Sequence, residues 1–167
     1  NLIDAFITRG SVDLLPEFAV PLPVTVIADI LGVDRADIWT FKHWGDLMIS
    51  GNVDMLSHER RREVAKAVVE LHEYFVPRIE ERRQNPTDDL LSIMINTEVD
   101  GEPPLTTAEL LPIIDQILLA GHETTTNLIA NAMLVLLNDP HLMRRLRDNP
   151  SDIPAMVEEA LRWDPPI

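Results

Sequence analysis

At 167 residues the chain has the length of one average domain, enough to bury roughly two thirds of its unfolded surface. Hydrophobic residues at 46% and charged residues at 25% exclude wholesale disorder, and a net charge of −14 opposes nucleic acid and anionic membranes. With no Cys, the chain can make no disulfide, no cysteine nucleophile and no thiolate bond to a metal. No apolar run reaches the length of a membrane span, and no secretion signal opens the chain. The first residue, Asn1, and the closing Asp164-Pro165-Pro166-Ile167 give the expectation of an internal piece of a larger protein.

Leu, Ala, Glu and Arg are plentiful while Gly is scarce, so the composition favours helix, and the 13 Pro act as punctuation between helices. Asn1 to Arg9 reads as the tail of a helix stopped near Gly10, and Ser11 to Val20 as a connector. Pro21 to Gly32 carries Val24, Ile27, Ala28 and Leu31 at helical spacing, with Gly32 placed to end the helix. Arg35 to Ile49 reads as a second amphipathic helix, followed by a loop at Ser50-Gly51-Asn52-Val53-Asp54. His58 to Gln84 is a long charged helix, and Pro77 is expected to bend it. Asp88 to Thr97 is a short helix. Thr107 to Asn138 is apolar on every face, which belongs in the middle of a larger body, and Thr106 or Thr107 can cap its start. His141 to Asp148 and Asp152 to Trp163 complete the series, so the expected fold class is mainly α, helices packed around one long central buried helix.

Ala120-Gly121-His122-Glu123-Thr124-Thr125-Thr126 interrupts the apolar helix at its middle. Gly and consecutive Thr are poor helix formers, and a central Glu risks a desolvation penalty unless paired, so local and global preferences conflict here. Such conflicts tend to fall on functional sites. Gly121 lets a flat ligand approach the backbone, the Thr124 hydroxyl can bond back to the Ala120 carbonyl, and Glu123 can pass protons. A plain small-residue contact between two helices accounts for the same residues equally well. His122-Glu123 opens like a zinc-peptidase H-E-x-x-H motif, but Thr126 stands where the second His is required. Glu159 and Arg162 stand at i, i+3 on one helix face, by itself a common surface pair.

The two motifs together resemble the cytochrome P-450 family of haem-thiolate monooxygenases. Ala120-Gly121-His122-Glu123-Thr124-Thr125 is similar to the family's oxygen-activation motif on its long central helix, and Glu159-x-x-Arg162 to its E-x-x-R helix, followed here by Trp163-Asp164-Pro165-Pro166. Phe18 to Ala28 and Asp88-Asp89-Leu90-Leu91-Ser92 resemble linking segments of the soluble bacterial branch. The family's cysteine loop is absent. The resemblance therefore implies one incomplete domain over residues 1–167, the distal helical half of the fold, with a b-type haem whose iron-ligating Cys lies outside this chain.

It implies Glu123 and Thr124 as the catalytic acid–alcohol pair, and Ala120, Gly121, Thr124 and Thr125 as residues along the haem. Leu119 and Met48 are implied at the substrate, with Ile49 and Met55 as further candidates beside Met48; Met48, Ile49 and Met55 all read more simply as core or loop residues. Glu159 and Arg162 carry over as a structural pair, and no metal ligand is assigned in the chain itself. The implied reaction inserts one oxygen atom from O2 into a small organic substrate, with electrons from a ferredoxin or a flavoprotein reductase. A cytoplasmic protein with no nucleic-acid or membrane partner is implied. The isolated 167 residues are expected to be inactive. The competing reading is a non-catalytic helical binding or interaction module without haem.

Overall fold

The structure is a computed structural model that describes residues 1–49, 56–98 and 101–167. Among the described residues it contains seven α-helices and no β-strand. They are α1 (Pro21–Ile30), α2 (Ile38–Ile49), α3 (His58–Gln84), α4 (Leu90–Asn96), α5 (Thr107–Asn138), α6 (Pro140–Asp148) and α7 (Ile153–Trp163). Each predicted helix from Pro21 onward is present, with ends shifted by at most a few residues. The predicted loop at 50–54, and Met55 with it, lies outside the described residues.

The local chemistry of the helix ends explains their positions. Ser57 caps α3 by accepting from the Arg60 N–H, and Asp139 caps α6 by accepting from the His141 and Leu142 N–H groups. Thr106 and Glu109 form a reciprocal box at the start of α5: the Glu109 N–H donates to Thr106 Oγ1, and the Thr106 N–H donates back to Glu109 Oε2. The Thr106 hydroxyl, which donates to Glu109 Oε2 at 2.7 Å, and the Thr106 N–H hold the Glu109 carboxyl below its usual range. Pro77 and Pro112 lie inside α3 and α5, and both helices continue through them.

The N-terminal stretch differs from its expectation. In place of a helix tail there are two single 3₁₀ turns, Ile3–Ala5 and Ile7–Arg9, broken at Phe6 where φ is −125°. β-Branched Ile3, Ile7 and Thr8 favour helix weakly, and neither turn has a side-chain cap. The connector also holds a π turn at Leu15–Ala19, closed by the Val20 N–H on the Leu15 carbonyl.

The described residues form two compact units, Val24–Ala120 and the combination of Asn1–Pro23 with Gly121–Ile167. In the first, α3 presents Ala67, Leu71, Phe75 and Ile79 at four-residue spacing, and α5 presents Leu110, Ile114 and Leu118 in the same way. These residues join Ile27, Ala28, Leu31, Phe41 and Trp44 in one apolar core. Phe41 meets Phe75 edge-on at 6.1 Å, and Trp44 meets Tyr74 at 5.6 Å. The Trp44 indole N–H finds Glu70 Oε2 at 3.0 Å, so the buried ring leaves no polar atom unsatisfied. His72 Nε2 sits 3.0 and 3.1 Å from the two Asp115 carboxylate oxygens and ties α3 to α5.

The second unit is built differently. Its buried apolar side chains are few: Ala19, Leu146 and Ala160 are buried, while Leu134, Leu137 and Trp163 stay 59%, 64% and 72% exposed. The apolar faces anticipated from the sequence of α5 are therefore real, and in its C-terminal half they are uncovered.

Candidate active site on the central helix

The Ala120–Thr126 cluster lies within an unbroken helix. Successive residues turn about 100° around the axis, so Ala120, Gly121, Thr124 and Thr125 share one side while His122 and Thr126 point to the other. Burial follows that division. His122 and Thr126 are 4% and 8% exposed, whereas Ala120 and Thr125 are exposed and Gly121 and Thr124 are half-buried. Glu123 is exposed, so the desolvation penalty anticipated for a carboxylate inside this helix does not arise.

The Thr125 and Thr126 hydroxyls engage backbone. Thr125 Oγ1 donates to the Gly121 carbonyl at 3.0 Å, one turn back along its own helix. Thr126 Oγ1 donates to the carbonyl of Ala19 at 3.0 Å. Neither bond was foreseen. The first could have been read from the four-residue spacing alone; the second joins residues 107 positions apart, so no spacing reveals its donor.

The side formed by Ala120, Gly121, Thr124 and Thr125 is small and uncharged, with the Thr125 hydroxyl turned onto its own helix. That surface fits one face of a flat apolar ring. The chain has no cysteine to offer as an iron ligand, so it fits haem as a wall of the pocket and not as the axial site. Among the described residues no group of His, Asp or Glu is arranged to hold a metal ion.

Glu159 and Arg162 form a forked pair on α7, with Arg162 Nε and Nη2 donating to the two carboxylate oxygens at 2.8 and 2.6 Å. The hydrogen bond from Arg162 lowers the Glu159 pKa and raises that of Arg162. Past α7 the chain returns to α5, where Asn127 and Asn131 donate to the carbonyls of Pro166 and Asp164, each at 3.3 Å. An open groove of about 420 Å³ lies alongside, with Val135, Leu142, Met156, Ala160 and Trp163 among its walls. Leu119 is half-buried on α5, and Met48 on α2 packs on the apolar core of the Val24–Ala120 unit.

A long helix apolar on several sides, carrying Glu123 and Thr124 beside a small-residue face and followed by a forked Glu–Arg helix, brings together the two motifs by which the sequence resembles the cytochrome P-450 family. The sequence pattern of the family described as Cytochrome P450 matches residues 36–163, and the chain belongs to that family. It is 42% identical over 169 residues to the putative cytochrome P450 YjiB of Bacillus subtilis, covering 99% of this chain and 42% of that protein. It is 39% identical over 168 residues to the cyclomarin C epoxidase CymV of Salinispora arenicola, covering 100% of this chain and 42% of that protein. The crystal structure of CYP109E1 from Bacillus megaterium in complex with testosterone superposes with a TM-score of 0.85 at 36% identity, covering 97% of this chain and 43% of that one. The chain spans about two fifths of the length of these relatives. Its fold is a partial cytochrome P450 fold, as the motifs led one to expect.

Proposed function

We propose that the chain forms the distal helical half of a haem-dependent monooxygenase that inserts one oxygen atom from O2 into a small organic substrate. One observation carries this: Ala120, Gly121, Thr124 and Thr125 make a small uncharged face on α5, and Glu123 stands exposed beside it. An epoxidase among the relatives and a steroid bound to a similar structure support the reaction type and substrate class. The haem, when bound, supplies the oxygen chemistry, with a thiolate ligand from a residue outside this chain.

The chain's own residues supply shape and protons. Ala120 and Gly121 let the ring lie close to the helix, because neither projects a bulky side chain. The exposed Glu123 carboxylate exchanges protons with water and passes them toward Thr124 Oγ1, the adjacent hydroxyl that donates into the site. Leu119 contributes apolar surface toward the substrate, and Met48 is the further candidate from α2. Glu159 and Arg162 act as a structural pair. Electrons come from a ferredoxin or a flavoprotein reductase, and the setting is the cytoplasm; no described helix is long and apolar enough to cross a membrane.

The test is a carbon monoxide difference spectrum of the full-length protein that contains this chain. A thiolate-type band on reduction is the expected result. A protein that binds no haem, or binds it without that band, removes the monooxygenase reading and leaves the helical binding module.

A further inference from the structure

Ala19 is wholly buried, and its carbonyl is the one that a helical N–H at position 23 would ordinarily engage. Position 23 is proline. Pro21 opens α1, where an N–H has no partner inside the helix, and Pro23 brings no N–H to the carbonyl four residues back. Position 23 therefore offers the Ala19 carbonyl no donor four residues on, and a buried carbonyl needs one. Thr126 meets that need. Its Oγ1 donates to Ala19 at 3.0 Å, and a hydroxyl has only one proton to give. Thr125 next to it donates instead into its own helix. So two neighbouring threonines of one motif are put to different uses.

The placement has a directional consequence. Thr126 lies about 200° around α5 from Thr124. It shares its buried side with His122, one turn earlier. A hydrogen bond on that side fixes the rotation of the helix about its own axis, and the rotation decides where Thr124 points. We propose that Thr126 is a positioning residue, which caps the carbonyl to which Pro23 offers no N–H and thereby aims the Thr124 hydroxyl. The aiming role rests on the monooxygenase reading above; the cap itself does not.

The experiment uses the full-length haem-loaded protein with Thr126→Val, Thr126→Ser and Pro23→Ala, alone and combined. Val keeps the shape of Thr without a donor, Ser keeps the donor, and Ala at 23 restores an N–H that can take over the Ala19 carbonyl. The expected results are a lower melting temperature for Thr126→Val, recovery by Thr126→Ser, and a smaller loss for Thr126→Val when position 23 is Ala. A simple stability role would stop there. Aiming adds a second readout in the folded enzyme: hydrogen peroxide released per reductant consumed rises roughly threefold or more in Thr126→Val, as for a misplaced reacting group, and returns toward wild type in Thr126→Ser. A melting loss that does not depend on residue 23 overturns the cap. A cap that behaves as described, with an unchanged peroxide ratio, overturns the aiming role. Failure of the protein to bind haem is read separately, from the spectrum; it removes the aiming role with the reaction while the melting comparison still decides the cap.

Discussion

Arg82 Nε donates to Asp89 Oδ2 at 2.8 Å, joining the last turns of α3 to the cap of α4. The carboxylate also accepts from Thr87 Oγ1 at 2.6 Å and from the Ser92 N–H at 2.7 Å, and its side chain is 7% exposed. Burial alone would raise the pKa of Asp89. The hydrogen bonds from Thr87, Arg82 and Ser92 outweigh it and hold the group at about 2. A carboxylate whose folded pKa is depressed adds stability above its ordinary value of 3.8 and loses it as the pH falls toward about 2. Asp89→Ala is expected to cost about 3 kcal/mol at neutral pH, since the half-buried Arg82 guanidinium and the α4 cap lose their acceptor together. Asp89→Asn should flatten the dependence of stability on pH between about 4 and 2. Urea unfolding across that range, followed by circular dichroism, checks both.

Gly32 stands against the same carboxylate. It ends α1 in the left-handed region at φ +69°, and a Cβ there would lie 2.6 Å from Asp89 Oδ2. Gly32→Ala therefore meets two costs, left-handed backbone strain of roughly 1 kcal/mol and displacement of a carboxylate already committed to three donors. A loss of about 2 kcal/mol is expected. Gly10, also left-handed at φ +71°, has open space around the same position, so Gly10→Ala should show the strain alone. Equal losses for the two would show that the contact with Asp89 adds nothing.

The helices from α1 onward were legible because their punctuation is chemical and local. Asp139-Pro140 closes α5 and opens α6, and Thr106 with Glu109 marks the α5 start. The core stripe of α3 follows from Ala67, Leu71, Phe75 and Ile79 recurring every four residues. The candidate site was legible as a break in pattern, since Gly121 and three Thr sit badly in an apolar helix. What a single sequence cannot show is which distant segment packs against each side. Thr126 and Ala19 are separated by 107 residues, and Asn127 and Pro166 by 39. The one trace of the former bond was Pro23, whose missing N–H marks the Ala19 carbonyl as needing a donor. Its source becomes visible only in three dimensions. Glu123 illustrates the reverse: periodicity placed it in a buried helix, and the fold leaves it on the surface.

The uncovered apolar surface predicts how these 167 residues behave by themselves. Leu134 and Leu137 on α5, Val157 and Leu161 on α7, and Trp163 are all exposed. Apolar patches beyond a few hundred Å² drive association. The chain alone is expected to be helical by circular dichroism and to self-associate at micromolar concentration in sedimentation velocity. Leu137→Glu, which charges the most exposed of the α5 leucines, should shift the distribution toward monomer without loss of helix. A sharp monomer peak for the unmodified chain, with cooperative unfolding, contradicts this.

Thr124→Ala in the full-length protein tests the roles proposed for two threonines that the sequence alone presents as near neighbours. Thr124 is half-buried on the side shared with Ala120 and Gly121, directly after the exposed Glu123. In the function proposed above, its hydroxyl relays a proton from that carboxylate into the site. Removing the hydroxyl and methyl there keeps the face small, so haem content and the substrate-induced spectral change should be unaltered. Proton delivery should fail, and a larger share of the reducing equivalents should leave as hydrogen peroxide, with product yield per reductant falling by roughly tenfold or more. Thr126→Val acts differently, since it lowers the melting temperature and disturbs coupling only through the direction of Thr124. Combining Thr126→Val with Thr124→Ala should therefore add almost nothing to the peroxide ratio of Thr124→Ala alone, while the melting losses of the two remain separate. Peroxide, product and melting temperature measured on all four proteins check this, and a peroxide ratio that adds up across the pair would separate the two threonines entirely.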